Sequence, residues 1–289
     1  MDERTMLGLL ADRLPRAGDD AAVIDGLVVT IDMLHETTDF PPGTTRYTAG
    51  WRAVGASLSD VAAMGAEPTA AVAVYGAPVF EQAEILAFVD GARDVCEGAG
   101  SEYVGGDLDS HEEFTVSTAA VGRTDDPVLR SGARPGDAIC VTGTLGRSAG
   151  AVRLFERGEL ERANELFRFE PRIEAGRALA PYASAMMDSS DGLARSLHQL
   201  AEASACGMAV ETPLPVDDVV DSVAGPDERL ELGAFFGEDF ELVCTIPEPH
   251  LPKAKSATPT PLTRIGTVVE EGITLDGEPM PDRGYTHQG

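Results

Sequence analysis

A chain of 289 residues, 43% of them hydrophobic, exceeds the usual size of a single core and predicts two domains. Its 22 basic residues stand against 49 acidic ones, a formal net charge of −27 that repels nucleic acid and anionic membrane surfaces alike. No apolar run reaches the roughly 18 residues of a membrane helix, and Met1-Asp2-Glu3-Arg4 lacks the start of a secretory leader, so a soluble, cytoplasmic protein is expected.

Short β-rich runs at 22–24 and 27–31 flank Asp25-Gly26, a hairpin signal that leaves Asp32 at an expected strand end. From Thr45 to Met64 the residues Trp51, Val54, Leu58 and Val61 recur at helical spacing, with Asp60 in the last turns near Ser57 and Gly65 as the stop. A strand is expected over 70–75, then a helix over 81–97, then a short strand over 102–104 that delivers Gly105-Gly106-Asp107. A further strand over 114–121 ends at Thr124-Asp125-Asp126-Pro127, whose turn chemistry sets the expected boundary between a first domain, 1–126, and a second, 127–289. The second half reads as a strand over 138–141, a Gly/Thr loop to Gly146, and helices to about Ala180. A strand over 186–188 follows, with Ser190 as N-cap of a helix over 192–203, and a further strand over 240–245 lies behind Gly237-Glu238-Asp239. Strands alternating with helices in both halves make the fold class α/β, in two domains.

Asp20, Asp32, Asp60, Asp107, Asp188 and Asp191 stand beside Gly, Ser or Ala where strands and helices are expected to meet, not in charge runs. Small neighbours let backbone and carboxylate approach a compact anion, and hard oxygen ligands converging on one place suit Mg²⁺ bridging phosphates. Taken singly, such an aspartate caps a helix or makes a turn; Asp25 and Asp137 are expected to do only that, and Asp239 to cap the turn before Phe240. There is no G-x-x-x-x-G-K-[ST] loop, and the first lysine is Lys253, so Walker-type and protein-kinase sites are excluded. A triphosphate entering so acidic a chain must be neutralised by metal ions. At about 1 M salt the Debye length shrinks to roughly 3 Å, so the composition also reads as adaptation to a salt-rich cytoplasm. Cys96, Cys140, Cys206 and Cys244 show no metal or disulfide spacing and are expected to be reduced thiols.

In order along the chain come Gly18-Asp19-Asp20-Ala21-Ala22, Ile31-Asp32-Met33-Leu34, Leu58-Ser59-Asp60-Val61-Ala62-Ala63-Met64-Gly65-Ala66, and Gly105-Gly106-Asp107. Arg130-Ser131-Gly132-Ala133-Arg134-Pro135-Gly136-Asp137, Thr142-Gly143-Thr144-Leu145-Gly146, Asp188-Ser189-Ser190-Asp191-Gly192-Leu193 and Gly237-Glu238-Asp239-Phe240-Glu241-Leu242 follow. Together they resemble the thiamine-monophosphate kinase family over nearly the whole chain. The resemblance implies the aminoimidazole-ribotide-synthetase-like architecture, with an N-terminal sheet pairing across a homodimer, and transfer of the γ-phosphoryl group of ATP to thiamine monophosphate. By position it makes Asp20, Asp32, Asp60, Asp107, Asp188 and Asp191 ligands of several Mg²⁺ ions, with Thr30 and Ile31 alongside. Gly106, Asp107, Arg130 and Ser190 match contacts to ATP, and Glu238 and Tyr285 contacts to the thiamine moiety. Asp60, Asp107 and Arg130 would then carry the catalysis. Two departures stand out: Asp39 occupies the place where the family often has a substrate-contacting histidine, His35 being out of register, and Gly-Gly-Asp-Thr-Thr is altered to Gly-Gly-Asp-Leu-Asp.

An acceptor that is already a phosphate monoester has a second pKa near 6 and needs no general base, which agrees with the want of an obvious catalytic histidine. A direct transfer without a phosphoenzyme is therefore expected. Gly146-Arg147-Ser148-Ala149-Gly150 fits the G-x-S-x-G pattern of a hydrolase, with His198, His250 and His287 beyond it. Thr142-Gly143-Thr144 separates it from the expected strand, so Ser148 is a remote candidate nucleophile. Another ATP-dependent enzyme of the same architecture, such as aminoimidazole ribotide synthetase, is the closer alternative; selenophosphate synthetase and the hydrogenase-maturation dehydratase need cysteines near a terminus that are not found here. A non-enzymatic cation binder would scatter its carboxylates over the surface.

Overall fold

Asp25 and Gly26 both adopt positive φ, 51° and 77°, and so turn β1 (Ala22–Ile24) antiparallel onto β2 (Leu27–His35). In the computed structural model, which describes residues 10, 13, 14 and 16–285, β2 does not stop at Asp32. It runs on to His35, paired with β5 (Thr115–Arg123), so Asp32 lies inside a strand. Met1 to Arg4 and His287 lie outside the described residues. β3 (Glu67–Ala77) and β4 (Glu102–Ser110) complete a five-stranded sheet in the order β1-β2-β5-β3-β4. Gly105-Gly106-Asp107, expected beyond a short strand, belong to β4, where a bulge shifts the pairing from Ala71↔Tyr103 to Val72↔Gly105.

Residues on one face of this sheet, among them Val28, Ala71 and Ala120, are buried under helices; on the other, Ile31, Met33, Val72 and Val74 are exposed. After the short helix α1 (Glu36–Asp39) comes α2 (Arg46–Ala63), capped by Thr45, whose hydroxyl accepts from Thr48 N at 3.2 Å and contributes about 1 kcal/mol. Of its 18 residues 14 are buried, because α2 packs on β2, β3 and β5 of the first sheet and on α6 (Ile173–Leu179) and β7 (Ala185–Asp188) of the second half. Half of the helix is therefore built of Ala, Gly and Ser, with Val54, Leu58 and Val61 as fully buried anchors worth about 1.5–3 kcal/mol each. α3 (Gln82–Gly98) crosses α2 where two glycines meet backbone: a Cβ on Gly50 would stand 2.1 Å from Phe88 O, and one on Gly91 2.0 Å from Tyr47 O.

The second sheet has seven strands, β6 (Asp137–Thr142), β7, β8 (Gly207–Val210), β9 (Leu242–Pro247), β10 (Leu262–Val269), β11 (Ile273–Leu275) and β12 (Glu278–Pro279), in the order β12-β11-β8-β10-β6-β9-β7. α4 (Arg147–Glu156), α5 (Leu160–Phe167), α6, α7 (Leu193–Ser204), α8 (Asp218–Val223), α9 (Arg229–Ala234) and α10 (Leu251–Ala257) complete this half. Every residue of β6 is buried, and Cys140 faces Cys244 across β6 and β9; all four cysteines are free thiols, as expected.

Three local expectations fail in this half. Ser190 does not cap α7, which starts after Gly192 at φ 103° with no side-chain cap; Ser190 lies in the loop and its carbonyl accepts from Glu238 N at 2.6 Å. The strand expected over 240–245 begins at Leu242, not Phe240, because Phe240 takes φ 54°. Asp239 caps a helix elsewhere in the chain: its carboxylate accepts from Gly146 N at 2.5 Å and Ser148 N at 3.0 Å, the start of α4. No helix among the described residues is long and apolar enough to cross a membrane.

The α2–α3 crossing yields a prediction. Gly91→Ala drives a methyl group into a main-chain carbonyl and should destabilise the protein by at least about 2 kcal/mol, lowering the melting midpoint by roughly 5 °C. An unchanged midpoint in molar KCl would show that the helices do not touch there.

Candidate active site

Four aspartates from four separate segments meet at the C-terminal end of α2. Asp20 comes from the loop before β1, Asp32 from the inner face of β2, Asp60 from α2 and Asp188 from the end of β7. Ligand oxygens of Asp20, Asp60 and Asp188 lie within 4.8 Å of one another, the one such grouping of acidic, His or Cys side chains among the described residues. Each carboxylate has an oxygen tied by a neighbour: Thr30 Oγ1 donates to Asp60 at 2.5 Å, Ser57 Oγ to Asp32 at 2.7 Å, and Ser59 Oγ to Asp188 at 2.7 Å. Arg130 grips Asp20 through Nη2 at 2.9 Å and Nε at 3.3 Å, while its own main-chain N donates to Asp19 at 2.8 Å.

Burial, and then the other carboxylates Asp32, Asp188 and Asp20, hold the Asp60 carboxyl well above the usual range. Asp188 is pushed up to about 7, first by burial and next by Asp20, and Asp32 is raised by burial. So crowded a set of acids is what a divalent cation relieves, and hard oxygen donors of this number suit Mg²⁺.

The remaining expected site residues are placed less uniformly. Thr30 touches Asp60, but the Ile31 side chain points to the opposite, exposed face, so only its main-chain carbonyl can serve a metal. Asp191 follows Asp188 and Ser190 in the loop, and its carbonyl accepts from Tyr285 N at 3.0 Å. Gly106 has a packing reason of its own, since a Cβ there would stand 1.7 Å from Ala73 O. Asp107 is not brought to the cluster within one chain. Its row across the sheet is Asp107, Val74, Ser117, Met33, the exposed face, and Gly106 beside it is three strands from Asp32, about 14 Å at normal strand spacing.

Beside the cluster opens a cavity of about 720 Å³. Its walls carry Phe155, Phe167, Phe235, Phe236 and Tyr285 together with Asp39, Glu156, Glu231 and Glu238. Tyr285 OH donates to Asp39 Oδ1 at 3.3 Å, and burial followed by the Asp39 charge pushes the phenol up to about 12. Asp39 Oδ2 accepts from His35 N and the Thr38 hydroxyl, both at 2.7 Å, so it is fixed in the cavity wall. Glu238 is clamped by Arg52, 2.5 Å away. Sequence reasoning missed Arg52 and the hydroxyls of Ser57 and Ser59. The available signal was polar side chains on an otherwise small and apolar helix. Ser148 is not a nucleophile elbow: it is 2% exposed, and its Oγ donates to Glu238 O at 2.5 Å with no histidine bonded to it among the described residues.

The raised acids fix a pH dependence. A carboxyl whose folded pKa exceeds its unfolded value binds more protons when folded, so stability falls as pH rises between the two. For Asp188 that window runs from its ordinary value of 3.8 to about 7, with Asp60 and Asp32 acting in the same direction. In EDTA the melting midpoint should therefore fall from pH 5 to pH 8, and Mg²⁺ should flatten that fall. Asp239, likewise pushed to about 7 by burial, contributes equally to both curves. Identical curves with and without Mg²⁺ would deny the cluster a metal.

The AIR synthase related protein N-terminal domain profile matches residues 18–124, and the corresponding C-terminal domain profile residues 134–277. A thiamine-monophosphate kinase of Halobacterium salinarum is 60% identical over 99% of this chain and 100% of its own length. One from Methanospirillum hungatei is 41% identical over 99% of each. The structure of AaThiL complexed with AMPPCP and TMP, 29% identical, superposes with a TM-score of 0.90 over 99% of this chain and 97% of that one. Four separated segments thus build one carboxylate cluster on a scaffold whose relatives match it from end to end, and the chain belongs to the thiamine-monophosphate kinase family.

Proposed function

We propose that the chain transfers the γ-phosphoryl group of ATP to thiamine monophosphate, giving thiamine diphosphate and ADP. One observation carries the reading: Glu238, a wall of the aromatic cavity, is tied to the loop that follows Asp188 of the carboxylate cluster. Glu238, which lines the cavity, is bonded through its main-chain N to Ser190, two residues from Asp188. A cavity walled by aromatic rings and carboxylates suits a cationic aromatic molecule, and the thiamine rings carry such a charge. The acceptor's phosphate would then point to the cluster. The family membership favours the kinase over the alternative of aminoimidazole ribotide synthetase.

Asp20, Asp32, Asp60 and Asp188 would hold Mg²⁺, with Thr30, the Ile31 carbonyl and Asp191 at their margins; bound there, the ions neutralise the triphosphate and the charge that develops on transfer. Arg130 stands at the cluster, paired with Asp20, and would meet phosphate oxygens there. Ser190 borders both sites. Glu238, Tyr285 and Asp39 orient the acceptor, whose phosphate oxygen attacks the γ-phosphorus in line as the bond to the β-phosphate oxygen breaks. No side chain takes a proton or the phosphoryl group. The acidic surface and near-absence of lysine support work in a salt-rich cytoplasm, with the domain boundary after Asp126.

The first sheet supports a homodimer. Its outer face is apolar, and its edges are β4 on one side and, beyond Val29, β2 on the other. A second copy can add its strands at those edges. Asp107 and Gly106 stand on the β4 edge, Ile31 and Asp32 on the β2 edge, and a junction between copies is what brings them together.

Two experiments test this. Incubation with ATP, Mg²⁺ and thiamine monophosphate in molar KCl should yield thiamine diphosphate and ADP, while Asp60→Asn should keep the fold and lose turnover; an active Asp60→Asn protein removes the cluster from catalysis. Mixing inactive Asp60→Asn and Asp107→Asn proteins should restore roughly one quarter of activity, because half the dimers are mixed and each then holds one intact site. No recovery on mixing would place Asp107 outside the partner's site.

A further inference from the structure

Helix α2 buries an arginine that no metal or phosphate role claims. Arg52 is 1% exposed. Its Nη2 donates to Glu238 Oε2 at 2.5 Å and to the Glu238 carbonyl at 3.4 Å; its Nη1 donates to the Phe167 carbonyl at 2.5 Å and Ser148 Oγ at 3.4 Å. The guanidinium lies 3.6 Å from the centre of the Phe167 ring, with Phe169 at 5.3 Å and Phe240 at 5.6 Å. A well-packed apolar side chain of similar volume serves a core at least as well as a buried ion pair. The reason for an arginine here lies in what it holds.

It holds Glu238. That residue adopts φ 64°, next to Gly237 at φ 87° and two residues before Phe240 at φ 54°. Non-glycine residues stay in this region only where their surroundings determine them from several sides. Arg52 grips the side chain, Ser148 Oγ bonds the carbonyl at 2.5 Å, and Ser190 O takes the N–H at 2.6 Å. Both principal partners of the guanidinium, Glu238 and Phe167, are walls of the 720 Å³ cavity. The rigid fork of arginine fixes Oε2, leaving Oε1 as the carboxylate oxygen for a ligand, a geometry that a lysine's single point of charge does not reproduce.

We propose that Arg52 is a positioning residue of the acceptor pocket: anchored in α2, it sets Glu238 against the cavity so that one carboxylate oxygen meets the cationic acceptor, and it governs affinity for that acceptor and not for ATP. This rests on the phosphoryl-transfer reading above. A residue that only stapled the two halves together would lower stability and disturb both substrates alike.

The test is steady-state kinetics in molar KCl on Arg52→Lys, Arg52→Met, Glu238→Gln and the Arg52→Lys/Glu238→Gln double variant, with melting midpoints in parallel. Arg52→Lys should raise KM for thiamine monophosphate about tenfold and leave KM for ATP within roughly twofold. Arg52→Met should raise the acceptor KM further. The double variant should be no weaker for the acceptor than Glu238→Gln alone, because Arg52 acts through Glu238. Equal rises in both KM values, additive effects in the double variant, or a lower melting midpoint with an unchanged acceptor KM would each overturn the proposal. Where Arg52→Met does not fold, the Arg52→Lys cycle decides alone. A wild-type protein that fails to phosphorylate thiamine monophosphate sinks the parent reading, whereas an active wild type with an undisturbed acceptor KM in Arg52→Lys sinks only this one.

Discussion

Everything at this site follows from forcing carboxylates together against their own repulsion. With oxygens of Asp20, Asp60 and Asp188 no more than 4.8 Å apart, each ionised pair costs about 3.5 kcal/mol or more at an effective dielectric near 20. The protein offsets part of that with neutral donors, one hydroxyl each from Thr30, Ser57 and Ser59, and with the Arg130 cation. What is left is carried as raised proton affinity. The site keeps an excess of negative charge, which a divalent cation would relieve.

The scaffold that enforces this crowding is one helix. α2 carries Asp60, supplies the hydroxyls that steady Asp32 and Asp188, and about two turns nearer its N-terminus holds Arg52 against Glu238. Because it is pressed between the first sheet and elements of the second half, its polar residues are placed by packing on both sides and not by local propensity. Carboxylate cluster and aromatic cavity are therefore fixed relative to each other by a rigid element.

Much of this was readable in the chain beforehand. The hairpin at Asp25-Gly26, the span of α2 with its stop at Gly65, and the aspartates beside small residues all followed from local rules. The failures share a cause. Asp32 and Gly105 to Asp107 were placed at strand ends because glycine and aspartate weaken strand propensity, yet pairing with β5 and β3 carried the strands through them. Ser190 looked like a cap and Asp239 like a turn residue by sequence neighbours alone; both are bonded to segments distant in sequence. Arg52 was invisible for the same reason, since only the approach of Glu238, 186 residues away, gives it a role.

The near-complete enclosure of α2 also bears on how such a sequence can change over time. With 14 of 18 positions walled in and a second helix in contact through glycine, almost any replacement along it meets neighbouring atoms. Inherited variation must then collect on elements that face water, where replacing a lysine by an aspartate costs no packing. A chain can in this way exchange nearly its whole exterior for one suited to brine while its catalytic spine stands still.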